Sequence, residues 1–200
     1  SGTLGYTGDA SAATGVTLKS AAVGGVITVS GSLATTGTTN TDNPILVQTN
    51  GAAINLSQTT AGDAGQNVLS TAQGAATVNA AGGAINIQGN ADVKGALEVT
   101  TTTGKITVGG ESTPYTMSGG SSTNIHTTTG AVEINGLAKS TNSTKVTTTS
   151  GIITVNGGLQ TTTADGDTGV VDLQVSSESG AITLNQNADI NDGKVINSAG

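Results

Sequence analysis

Apolar and polar positions alternate along this chain in short bursts that return in nearly the same form. The phrase is glycine, a spacer and two branched aliphatics flanking one polar residue, often followed by Asn-Gly or Ser-Gly. It occurs as Gly25-Val-Ile-Thr-Val-Ser-Gly31, Gly83-Ala-Ile-Asn-Ile-Gln-Gly89, Gly130-Ala-Val-Glu-Ile-Asn-Gly136 and Gly151-Ile-Ile-Thr-Val-Asn-Gly157. The apolar pairs are Ile27/Val29, Ile54/Leu56, Ile85/Ile87, Ile106/Val108, Val132/Ile134, Ile153/Val155 and Ile182/Leu184, their first members 27, 31, 21, 26, 21 and 29 residues apart. Period-2 alternation predicts a strand with one buried face. Within the 31-residue interval, Ala76-Thr-Val78 reads as a weaker copy.

Two further elements accompany each phrase. A strand is predicted before it, at 16–18, 45–47, 97–99, 145–147 and 171–175, and a shorter apolar touch follows it at Leu33, Val93, Leu137, Leu159 and Ile190. Three short strands per 21–31 residues describe one turn of a solenoid, which buries its apolar residues only when neighbours stack above and below. The expected fold is all-β, a right-handed parallel β-helix of about 7–8 coils of 21–31 residues. Spacers such as 35–43 and 61–66 are expected to leave from one side of the rod, and glycine is expected to supply positive φ at corners. Eight coils at ~4.8 Å would give a rod of roughly 35–40 Å.

Two other architectures compete. Asn-Gly at 135–136 and 156–157 is a strong hairpin signal and would suit an antiparallel meander. The residues after Gly136, Leu-Ala-Lys-Ser-Thr-Asn-Ser, alternate poorly, however, and an immunoglobulin-like sandwich needs about 100 residues per unit.

Composition sharpens this picture. The chain has no Phe, Trp or Cys, two Tyr, one Met and a hydrophobic share of 34%, against roughly 45–50% in globular domains. Any core must be narrow and lined by Val, Ile, Leu and Ala. Patterned aliphatics and a charged share of only 10% argue against disorder. Without cysteine there are no disulfides or thiolate metal sites. The net charge is −7 and its six cations are all lysine, which excludes nucleic acid as a partner and disfavours an anionic membrane surface. No apolar run approaches the roughly 18–20 residues of a membrane span. The abrupt starts and stops of the pattern predict that residues 1–200 are one β-solenoid segment of a longer repetitive protein.

Candidate chemistry is sparse. His126, the only histidine, is one step from an inward Ile125 and is expected to face solvent. Asp165 with Asp167, and Asp189 with Asp192, have the oxygen chemistry of Ca²⁺ ligands, but they lack the full EF-hand pattern and the calcium β-roll repeat, so the expectation is polar turns and no metal. A polysaccharide-active β-helix would need paired carboxylates, with Asp165 and Asp172 the residues to test; the absence of Arg and Trp leaves no catalytic residue, cofactor or enzymatic activity expected. The threonine runs 100–103, 127–129, 147–149 and 161–163 would form hydroxyl ladders for ice or cellulose-like surfaces if stacked in register, yet their irregular spacing reads as corner chemistry. Asn55-Leu-Ser57 and Asn142-Ser-Thr144 match the glycosylation sequon, as chance allows in an Asn/Thr-rich chain.

The run Gly-[Ala/Gly/Ile]-[Ile/Val]-[Asn/Thr]-[Leu/Ile/Val]-[Asn/Gln]-Gly, preceded by Thr-Thr-[Thr/Ser]-Gly, resembles the repeats of filamentous haemagglutinin-like large exoproteins. Ser179-Gly-Ala-Ile-Thr-Leu-Asn-Gln-Asn-Ala-Asp-Ile190 and Gly82-Gly-Ala-Ile-Asn-Ile-Gln-Gly-Asn-Ala-Asp-Val93 are most similar. The resemblance covers about residues 16–196. It implies a bacterial surface-exposed or secreted rod acting as an adhesin or matrix component, exported by two-partner secretion or, as in β-helical passengers, by an autotransporter route. The expected partners are a host-cell, neighbouring-cell or matrix surface, protein or glycan, with end-to-end self-association giving an extracellular fibre as the alternative.

Overall fold

The computed structural model describes residues 2–38, 44–58, 66–110, 115–162, 172–186, 188–190 and 194–198. Its strands form three eight-stranded sheets, in which each strand pairs with the equivalent strand one coil away. In the first coil Leu4–Thr7 belongs to sheet A, Ala10–Ala12 to sheet B and Val16–Ser20 to sheet C. The second coil repeats the order with Ile27–Ser30, Leu33–Thr35 and Ile45–Thr49, and the eighth ends it with Ile182–Leu184, Ala188–Ile190 and Lys194–Ser198. Every pairing among the described residues is parallel. The molecule is a parallel β-helix of eight coils.

The aliphatic pairs read from the sequence stack on one another without slippage in sheet A. Ile27 lies beside Ile54, then Ile85, Ile106, Val132, Ile153 and Ile182. Period-2 patterning forces this, because a slip of one residue would turn the aliphatic set outward. Ile27, Ile54, Ile85, Ile106 and Ile153 are wholly inaccessible, and they join Val47, Val78, Val99 and Val146 of sheet C in one continuous core. The Asn-Gly signals do not close hairpins: Gly136 and Gly157 turn the chain from sheet A into Leu137–Ser140 and Leu159–Thr161, which run parallel with Ala138 beside Leu159.

Four expectations need correction. Ala76–Ala80 is no copy of the sheet A phrase. It lies in sheet C between Ile45–Thr49 and Leu97–Thr101, because its small inward Ala76 and Ala80 fit the column below Leu97 and Thr101. Leu137 faces outward and half-buried, and Ala138 takes the inward place; the strand begins one residue earlier than the apolar residue suggests. The spacers leave from two corners rather than one. Residues 58–66 and 109–115 join sheet A to sheet B, while 36–44 and 162–171 join sheet B to sheet C. Both corners border sheet B.

The fourth correction concerns glycine. Positive φ among the described residues is confined to Gly8, Gly15, Gly24, Gly31, Gly51 and Gly109. The recurrent corner glycines have ordinary φ and are needed for close approach instead. A Cβ on Gly104, Gly130, Gly151 or Gly180 would overlap the backbone carbonyl of the glycine one coil below, which is Gly83, Gly104, Gly130 or Gly151 respectively. A second column runs through the corner from sheet A to sheet B, where a Cβ on Gly157 would overlap the carbonyl of Gly136.

The corner from sheet C to sheet A is therefore the most uniform part of the molecule. From the second coil onward its connection is always four residues: 50–53, 81–84, 102–105, 128–131, 149–152 and 178–181. From Leu97–Thr101 onward, the last residue of the sheet C strands ending at Thr101, Thr127, Thr148 and Ser177 turns a buried hydroxyl into it. Thr148 Oγ1 accepts the N–H of Gly151 at 2.9 Å and donates to the carbonyl of Gly130 at 3.3 Å. Thr127 accepts from Gly130 at 3.1 Å and donates to Gly104 at 3.3 Å, and Ser177 accepts from Gly180 at 2.8 Å and donates to Gly151 at 3.0 Å. One hydroxyl thus satisfies a donor in its own coil and an acceptor in the coil below. The inward threonines of the runs are structural for this reason.

Candidate functional site

Since the core takes every second residue, function must be carried by the outward rows and by the connections bordering sheet B. The outward residues of sheet C include His126, whose Nδ1 lies 2.8 Å from Thr147 Oγ1 on the next coil. The ring is half-buried and faces away from the core, as the neighbouring Ile125 requires. Asn79 Nδ2 donates to Thr100 Oγ1 at 3.1 Å in the same sheet. On sheet B, Lys94 reaches Asp92 at 2.8 Å, both side chains being about half exposed. A shallow polar groove of about 390 Å³ opens there, lined by Asn67, Asn90, Asp92, Thr116, Ser118 and Lys139.

Sheet A carries a different surface. Its middle outward row contains Thr28, Asn55, Asn86, Thr107, Glu133 and Thr154 in register. Asn86 Nδ2 donates to Asn55 Oδ1 at 2.8 Å. A second amide ladder borders this row at the corner into sheet B: Asn156 Nδ2 donates to Asn135 Oδ1 at 2.8 Å, and Asn185 Nδ2 to Asn156 Oδ1 at 2.7 Å. Lys105 pairs with Glu133 across one coil. The bonded Lys105 ammonium holds the Glu133 carboxyl below the ordinary glutamate value, against a smaller opposing push from burial and with further help from Asn135.

The sequence candidates are not brought together. Asp165, Asp167 and Asp192 lie outside the described residues. The backbone of Asp189 pairs with Gln160 in sheet B, and that of Asp172 with Ser143 in sheet C, on different faces of the rod. Asn55 faces outward within its amide ladder, and Asn142 is exposed at the corner between sheets B and C. Among the described residues no three His, Asp or Glu side chains gather as a metal site. No buried side-chain polar atom among them lacks a partner. The amide ladders were missed in the sequence, although their signals were present: Asn between the two aliphatics at Asn55 and Asn86, and Asn after the second at Asn135, Asn156 and Asn185.

Compared with known proteins, the chain matches no family model, no curated protein and no solved structure.

Proposed function

We propose that this chain is a rod segment of a large bacterial cell-surface or secreted adhesin, whose coils bear load while loops or distal domains make contacts. The observation that supports the reading most directly is the unbroken register of eight coils. Parallel ladders in three sheets, corner hydroxyls bonded from coil to coil and a continuous aliphatic column give a stiff element whose length scales with repeat number. The repeat resemblance to haemagglutinin-like exoproteins points the same way. A net charge of −7 suits a surface that remains solvated.

The test is where the protein resides and whether blocking it prevents attachment. Antibodies raised against the folded 200-residue chain should label intact producing cells and lower their attachment to host or neighbouring cells. Labelling that appears only after permeabilisation would refute the proposal.

A further inference from the structure

The outer face of sheet A differs in kind from the other two. Sheet B presents Asp92, Lys94 and Lys139, and sheet C presents Lys19, Glu98 and Lys145. The charges on sheet A, Lys105 and Glu133, neutralise each other. What remains is a stripe of amides, hydroxyls and small apolar residues, with Ala131 and the 53%-exposed Ile152 along one margin.

Two shallow grooves lie along this stripe. One, of about 240 Å³, is lined by Asn55, Leu56, Ser57, Asn86 and Gln88. The other, of about 400 Å³, lies over the second ladder, between Asn135, Asn156 and Gln186. Both are built on the ladders. An amide has two donors and two acceptor lone pairs, and a ladder bond consumes one donor on one residue and one lone pair on the next. Each link fixes the amide's orientation; Asn135 spends its N–H groups on Glu133 and Gly109, whereas Asn55, Asn86, Asn156 and Asn185 keep hydrogen-bonding capacity on their outer edges. That capacity is preorganised, so a ligand does not bear the entropy of ordering it.

The geometry points to sheet A as a docking track for a neutral polysaccharide lying along the rod axis. The charge pattern selects this occupant. A polyanion meets an acidic protein and a lysine already bonded to Glu133; a polycation meets a carboxylate already bonded to Lys105. Sugar hydroxyls both donate and accept, matching amides and threonine hydroxyls that do the same, and small apolar side chains suit the C–H faces of the rings. Because coils recur at about 4.8 Å, a contact made at one coil is offered again nearby. A polymer therefore gains by multivalency what a single sugar does not. This inference rests on the adhesive reading and gives it a ligand class.

Retention of the full chain on insoluble cellulose, β-1,3-glucan and mannan is compared with retention on cross-linked pectate and on chitosan. The expected result is binding to at least one neutral polymer and to neither charged one, with soluble oligosaccharides of that polymer competing more strongly as they lengthen. The double variant Thr107→Lys/Thr154→Lys should weaken retention about ten-fold or more. Thr77→Lys/Thr100→Lys, on sheet C, should bind normally, and circular-dichroism melts establish that both variants are folded. Failure to bind any neutral polymer, binding to a charged polymer alone, or equal loss in both variants would overturn the track. Surface labelling of producing cells is read independently, so this inference can fail while the rod remains an adhesin segment.

Discussion

Two corners of the same coil obey opposite rules. Where sheet C passes into sheet A, the connection holds four residues from the second coil onward, and after Thr101, Thr127, Thr148 and Ser177 it is closed by a buried hydroxyl and a glycine whose α-carbon lies against the carbonyl below. Where the chain enters or leaves sheet B, the connections range from the single Gly89 to the ten residues 162–171, and the long ones, 36–44, 58–66, 109–115 and 162–171, differ in composition. The first corner is part of the stacking contact, so a change in one coil is transmitted to its neighbour. The corner into sheet B also carries inter-coil contacts, Gly157 against Gly136 and the Asn135–Asn156–Asn185 ladder, but its length is not fixed from coil to coil, and the loop-closure cost of extra residues grows only slowly with length. A solenoid of this kind varies its surface at corners whose length the stack does not fix.

The most severe test of that contrast is insertion. Five Gly/Ser residues placed within 149–152 should abolish the cooperative denaturant transition, because Ile153 could no longer lie beside Val132 while Thr148 stays beside Thr127. The same insertion within 58–66 should cost less than about 1 kcal/mol. Equal sensitivity at the two sites would remove the distinction.

Substitution should reproduce the contrast on a smaller scale. Gly151→Ala forces a methyl into the carbonyl of Gly130 and should destabilise by about 1–3 kcal/mol or more, as overpacking does. Gly110 has open space within 4 Å of where a Cβ would stand, and no positive φ, so it should accept alanine within about 0.5 kcal/mol. Thr148→Val keeps shape but orphans the Gly151 N–H and one acceptor bond, for a cost of about 1–3 kcal/mol. Thr148→Ser should recover most of this, since Ser177 makes the same two bonds in the next coil. Denaturant midpoints for these variants decide the matter.

The smallest effect belongs to the outer surface. Glu133 is held below its ordinary value of 4.5, so its ion pair with Lys105 stabilises the fold fully above that pH and loses the contribution as pH falls through the lower folded-state value. Lys105→Met should therefore cost at most about 0.5–1 kcal/mol at pH 7 and nothing in strong acid. An undiminished difference at pH 2 would contradict the sign.

The sequence made the inward column of sheet A readable because two branched aliphatics two residues apart specify one face and one register. The first coil was legible only in its sheet C strand, at 16–18: Leu4-Gly5-Tyr6 offers no aliphatic pair, yet Leu4 and Tyr6 lie beside Ile27 and Val29. Leu69 and Met117 fill sheet B, but Asn67–Thr71 breaks its alternation with two adjacent buried residues and Thr116–Gly119 is too short to announce itself. The reason for the glycines was also hidden. A close approach between coils looks, in one dimension, the same as a turn. As for the outward face, the recurring Asn and Thr were visible, but their joining into ladders depends on which coil lies next to which.

Parallel stacking in register can be measured directly, since the chain has no native cysteine. Cysteines at Thr28 and at Asn86, Thr107, Thr154 or Thr183 allow spin-label pairs along the outer face of sheet A. Pulsed electron–electron distances should rise by about 4.8 Å for each coil separating the pair, reaching about 24 Å for Thr154 and about 29 Å for Thr183 before label linkers are included. Distances that fall back beyond Gly136 or Gly157, as a reversing chain would give, would contradict the fold.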